Sequence, residues 1–154
     1  MTEIEAVMEA LHRLRDRIAE NIVGEGAYAT GKTTASREVE QTADGGRLLG
    51  RHDFANLESG SPPGNFPGAR QIREWLVAKG LKTANDPDLE RAVNAINWRI
   101  YQEGTVLYRQ HGRDTIYTTA IDEMLEELQG QVADIAAERL ADGITENLKL
   151  RETH

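Results

Sequence analysis

The sequence contains no cysteine among its 154 residues. Disulfides, thiolate nucleophiles and cysteine metal ligands are therefore excluded, and assembly in a reducing cytoplasm is the natural setting. Aromatic residues make up only 5% of the chain, so the core is expected to be aliphatic and thin, the kind that completes its burial against a partner. No apolar run approaches the roughly 20 residues of a membrane-spanning helix. The stretch from Met1 to Val23 carries acids and bases throughout, where a signal peptide has its apolar block. Basic residues are outnumbered, with 18 Lys and Arg against 26 Asp and Glu and a net charge of −8. That balance argues against nucleic-acid binding as the main task, because phosphate contacts need Lys and Arg.

What is present fits one domain over residues 1–154, long enough to bury a real core. Ile4, Val7, Met8, Leu11, Leu14, Ile18 and Ile22 recur at three- and four-residue steps, which predicts an amphipathic helix over residues 3–23, ended by Gly24 and Gly26. A polar, alternating stretch from Thr33 to Thr42, a turn at Asp44-Gly45-Gly46 and a return from Arg47 to Arg51 read as a short, half-exposed hairpin. Phe54 to Glu58 fits a helical turn, and the prolines and glycines from Ser59 to Gly68 exclude regular structure there. Helix resumes from Ala69 to Lys79 with Ile72, Trp75 and Leu76 on one side. Asp86-Pro87-Asp88 then opens a helix carrying Leu89, Val93, Ile96 and Ile100. Gly104 to Tyr117 reads as a loop with some strand character, and Thr119 with Asp122 resembles a capping box. A long terminal helix over 117–149 places Ile121, Leu125, Leu128, Val132, Ile135, Leu140, Ile144 and Leu148 on one stripe, with Gly130 and Gly143 as interruptions that bend it. The expected fold is α+β: a small antiparallel sheet or hairpin packed with an N-terminal helix, two central helices and a long C-terminal helix.

Gly26-Ala27-Tyr28-Ala29-Thr30-Gly31-Lys32-Thr33 matches the phosphate-binding P-loop pattern letter for letter. In a nucleotide hydrolase that loop follows a buried apolar strand and opens a helix, so that amides, Lys and Thr converge on phosphate and magnesium. Here it follows an amphipathic helix, and residues 34–42 offer only Ala35 and Val39 as apolar positions. The alternating parallel pattern of that fold is also missing. A flexible glycine loop leading into a strand is the better reading, with a nucleotide-binding protein using Gly26 to Thr33 as the alternative. No cofactor and no catalytic residues are expected.

His12, His52, His111 and His154 have no ligand-like spacing, so no metal site is expected. Asp122-Glu123 and Glu126-Glu127 are read as a solvated face. Nine acids from Ile116 onward face only Arg139, Lys149 and Arg151, so the chain is electrically sided. Glu58, between Phe54-Ala55-Asn56-Leu57 and the proline loop, is a candidate for an ion pair with Arg70 or Arg73, against the plainer reading of an exposed acid. Trp75 and Trp98 are read as helix-packing residues. Arg109, His111 and Arg113 beside Tyr108 and Tyr117 form a small basic loop. A protein interface suits it better than nucleic acid, with a small DNA-associated regulatory module as a further alternative.

Three segments follow in order: Leu48-Leu49-Gly50, then Phe54-Ala55-Asn56-Leu57-Glu58-Ser59-Gly60-Ser61-Pro62-Pro63-Gly64, then Ile72-Arg73-Glu74-Trp75-Leu76-Val77-Ala78-Lys79-Gly80-Leu81. With Glu103-Gly104-Thr105, Leu107-Tyr108-Arg109 and Asp114-Thr115-Ile116-Tyr117, this order resembles the tail-completion, neck and minor-tail proteins of tailed bacteriophages. Thr30-Gly31-Lys32-Thr33 and Ser36 fit that family's lead-in to its first strand, which accounts for the P-loop-like letters. The resemblance spans about residues 28–121. It departs at Ser61, where the family often carries Arg before Pro, and a basic contact from that loop is therefore in doubt.

The resemblance implies a non-enzymatic virion protein assembled in the host cytoplasm, a head–tail connector contributing to a homo-oligomeric ring around the DNA channel. Its implied neighbours are the portal or adaptor, the tail terminator and the tail tube. DNA passes nearby without sequence-specific binding, and no membrane is involved. Interface candidates are Phe54, Leu57, Glu58, Pro62, Pro63, Tyr108, Arg109, Arg113 and Tyr117.

Overall fold

The computed structural model describes residues 1–25, 37–51 and 54–152. The P-loop-like stretch from Gly26 to Thr33, the start of the expected first strand, and His52 and His154 lie outside the described residues.

The first helix, α1 (Glu3–Gly24), begins with a reciprocal cap. The Thr2 hydroxyl accepts from the Glu5 amide at 3.1 Å, and the Glu5 carboxylate accepts from the Thr2 amide at 2.7 Å. Its buried line runs Ala6, Ala10, Leu14, Ile18 and Ile22, so the N-terminal half is buried through alanines while Ile4 is exposed. Strands β1 (Glu38–Thr42) and β2 (Gly45–Leu49) pair antiparallel with Val39 opposite Leu48 and Thr42 opposite Gly45. The turn is therefore Ala43-Asp44, and the two glycines expected in it begin β2 instead. The reason is packing: a Cβ on Gly46 would stand 2.7 Å from both Leu11 Cδ1 and Met8 Sδ, so glycine lets the strand lie against α1.

A short turn of helix, α2 (Asn56–Ser59), leads into the irregular proline loop. Helices α3 (Ala69–Ala78) and α4 (Leu89–Glu103) follow. The α4 helix starts after the Asp86-Pro87-Asp88 signal. Asp86 does not cap it directly; its carboxylate accepts from the Asp88 amide at 2.8 Å, closing the turn before the helix. Arg73 and Glu90 tie α3 to α4 through two parallel hydrogen bonds of 2.8 and 2.9 Å. The expected strand character after Gly104 is replaced by a helical turn, α5 (Val106–Arg109), opened by the Thr105 hydroxyl accepting from the Tyr108 amide. The last helix, α6 (Thr118–Glu152), is continuous through Gly130 and Gly143.

Burial is divided into two clusters. One joins Leu14, Ile18 and Ile22 of α1 to Ile116 and Ala120, with Leu48, Phe54, Leu57 and Tyr117 around them. The other joins Ile72 and Leu76 of α3 to Leu89 and Val93 of α4. The architecture is thus α+β, as expected, with the hairpin and α6 on α1 and the α3–α4 pair forming a second centre. Trp75 and Trp98 do not fill either core; both are largely exposed.

Candidate functional site

The segments carrying the interface candidates meet at one joint between the two clusters, and Glu58 is its hub. Residues 57–64 and 101–118 are far apart in sequence but hydrogen-bond repeatedly. The Thr105 amide donates to Ser61 O at 3.0 Å, and the Ser61 amide donates back to the Thr105 hydroxyl at 3.0 Å. The Gly64 amide donates to Tyr101 O at 2.8 Å. Such close approach requires Gly60, whose φ is +71°: a Cβ there would stand 2.4 Å from the Tyr108 amide nitrogen.

Glu58 is 5% exposed. One carboxylate oxygen accepts from the amides of Ile116 (3.1 Å), Tyr117 (2.9 Å) and Thr118 (3.0 Å), and the other accepts from the Thr118 hydroxyl. The Thr118 amide is the first of α6 and the other two lead into it, a place where a negative charge is favoured by the helix dipole. Burial pushes the Glu58 carboxyl pKa up. The Thr118 hydroxyl and the three amides together outweigh that and hold it below the ordinary glutamate value. Burial, with the Glu58 charge second, raises the Tyr117 phenol.

This arrangement corrects two expectations. Glu58 does not pair with Arg70 or Arg73, which bind Glu74 and Glu90. The expected box at Thr119 and Asp122 does not cap α6 either: Thr119 donates its hydroxyl to Asp114 O at 3.1 Å. A carboxylate from 60 residues earlier occupies the capping role, so no local pattern could have revealed it.

Of the interface candidates, Phe54, Leu57, Glu58, Arg113 and Tyr117 serve the chain's own joint. Phe54 stacks on Tyr117 with ring centroids 5.3 Å apart, and the Tyr117 hydroxyl donates to Ala55 O. Arg113 donates its amide to Glu58 O and its side chain Nε to Leu57 O, both at 2.8 Å. The basic loop is thus partly consumed internally, and Arg109 leans on Glu103 at 3.4 Å. Pro62, Pro63, Tyr108 and Arg109 remain exposed.

Sequence reasoning missed a neighbouring feature. Phe66 stacks on Tyr101 at 4.2 Å between ring centroids, and Trp98 lies 5.6 Å from Tyr101. The three rings form an exposed platform beside the proline loop. The signal available was Trp98 and Tyr101 three apart on one helix, one turn of the same face. Among the described residues no group of three or more His, Asp or Glu could hold a metal ion.

No protein-family model matches this chain, and neither a curated protein nor a solved structure matches it.

Proposed function

We propose that the chain is a non-enzymatic structural component of a tailed-phage particle, a head–tail connector or tail-completion protein that contributes to a ring around the DNA channel. The observation that carries this reading is spatial. The Leu57-Glu58-Ser59-Gly60 step, the Gly104-Thr105 turn and the Tyr108 to Tyr117 loop, whose order resembles the phage neck family, interlock as one joint. The family-like residues therefore do architectural work on one another. What the joint presents outward suits protein contact: Pro62, Pro63, Tyr108 and Arg109 with the Phe66, Tyr101 and Trp98 platform alongside. Exposed aromatic and Arg residues are common anchors of protein interfaces. Portal or adaptor, tail terminator and tail tube are the partners this reading names. The outward acids Asp122, Glu123 and Glu126 would repel passing DNA and limit adhesion to it.

Immunoblotting purified particles, with immunogold labelling by antibody against Thr118 to Gln129, tests the reading. Label at the head–tail junction is the expected result. Particles that lack the protein by blot and by label would overturn it.

A further inference from the structure

The long helix α6 has two apolar faces. Ile121, Met124, Leu128, Val132 and Ile135 are half-buried on the side toward α1. An ion pair between Arg139 and Glu3 at 2.6 Å marks where α1 ends alongside it. The apolar stripe then changes side. Ile144 lies about two and a half turns beyond Ile135, which puts it on the opposite face. Leu140, Ile144 and Leu148 are 66%, 52% and 56% exposed. The expectation of one continuous stripe along this helix is therefore incorrect.

Traced back along the outward face, this second stripe reads Gly130, Ala133, Ala137, Leu140, Ile144 and Leu148. Steps of three and four residues are the spacing of a coiled-coil seam. All six lie within about 40° of one line along the helix, as do Glu126 before them and Arg151 after them. Polar neighbours do not interrupt the seam. Thr145 and Asn147 fold their side chains back onto the helix, donating to Ala141 O at 2.8 Å and Gly143 O at 2.9 Å. From Leu140 to Arg151 every residue except Gly143 is exposed, so this face is left open among the described residues.

We propose that the seam is covered by the same seam of a second copy, running antiparallel about a two-fold axis. The stripe is small at one end and large at the other, and only the antiparallel arrangement makes it complementary to itself. With the axis between Glu138 and Arg139, Leu140 meets Ala137 of the second copy, Ile144 meets Ala133, and Leu148 comes level with the Gln129–Gly130 step, of which Gly130 lies on the seam. Each bulky side chain faces a small one; at Gly130 a Cβ would meet nothing within 4 Å. The same register sets Arg151 against Glu126 at both ends. A parallel pair would instead align Asp122 with Asp122 and Glu126 with Glu126, placing like charges together. The inference stands on the helix alone and does not depend on the connector reading.

Sedimentation equilibrium of the full chain is expected to show a concentration-dependent dimer. Ile144→Asp is expected to abolish it while the circular dichroism and melting of the monomer stay unchanged, because Ile144 is exposed and belongs to neither core cluster. Ala137→Leu, which keeps helix propensity but fills the space opposite Leu140, is expected to weaken it as well. Charge reversal Glu126→Arg or Arg151→Glu alone should weaken association roughly fivefold, and the double reversal should restore it. Orientation is read by cysteine crosslinking, which is clean because the chain has no cysteine. Mixed Glu126→Cys and Arg151→Cys chains should form the 126–151 disulfide. A monomer at all concentrations overturns the proposal. So does a dimer indifferent to Ile144→Asp and Ala137→Leu, or crosslinks of 126 to 126 and 151 to 151. None of these results bears on whether the protein is found in particles.

Discussion

Replacing Glu58 is the sharpest perturbation of this fold, because one carboxylate satisfies four donors at the start of α6. In Glu58→Ala those donors lose their acceptor. The Ile116 amide lies in a buried setting and bears the largest penalty, while those of Tyr117 and Thr118 are partly accessible to water. An unsatisfied buried donor costs about 1–3 kcal/mol, and bonds to a charged acceptor are the stronger kind. A total of about 4 kcal/mol is therefore expected, against whole-domain stabilities of about 5–15 kcal/mol. For a chain of this size that corresponds to a melting temperature lower by roughly 10 °C. Glu58→Gln keeps an acceptor oxygen for the amides and loses the charge, so a cost of about 1–2 kcal/mol is expected.

The pH dependence separates the charge from the hydrogen bonds. The Glu58 carboxyl is held below its ordinary value in the folded protein. Its contribution is therefore fully present above the unfolded value, about 4.3, and is lost as pH falls through the lower folded value. Parent and Glu58→Gln are expected to differ most near neutrality and to converge at acid pH. Urea unfolding at pH values from about 3 to 7 measures this. Parallel curves for the two proteins over that range, or a Glu58→Ala variant melting within about 1 °C of the parent, would refute the hub.

Ile116→Ala should cost about 3 kcal/mol, because the residue is fully buried in the α1–α6 cluster. Val93→Ala empties the other cluster, which shares no residue with the first. The double variant should equal the sum of the singles within about 0.5 kcal/mol by denaturant unfolding; strong coupling would contradict two separate cores. Gly60→Ala, with its positive φ and no room for a Cβ, should cost at least about 2 kcal/mol and lower amide protection at Thr105 and Tyr108. Trp98→Ala should shift the melting temperature by less than about 2 °C, since the ring is exposed. If the proposed virion role holds and the aromatic platform is a contact, that variant should be depleted from particles by immunoblot.

What was legible in the sequence followed from local rules. The spacing of Leu14, Ile18 and Ile22, the break at Gly24, and the prolines at 62, 63 and 67 each act within a turn or two of themselves. The helices they delimit stand where the pattern put them. The hairpin was found but its turn was misplaced, because Gly45-Gly46 looks like turn chemistry when the α1 surface that needs Gly46 is out of view. Trp75 and Trp98 read as helix-packing residues from the sequence, yet both are exposed. Each sits on a helix whose small aliphatic neighbours, Ile72 and Leu76 or Leu89 and Val93, fill the space between α3 and α4.

The two features with most bearing on function were illegible for different reasons. Glu58 acts across 60 residues, and no window over the chain contains both the carboxylate and the amides it holds. The second face of α6 lay inside one window, yet a list of apolar positions hides it. The step from Ile135 to Leu140 spans five residues, well over a full turn, and moves the stripe round the helix. The first face meets α1, as a chain folding on itself requires; the bulky residues of the second, Leu140, Ile144 and Leu148, begin where α1 ends at Glu3 and Arg139. A helix that changes its apolar side at the point where its own domain runs out has one face for folding and one left for something outside the fold.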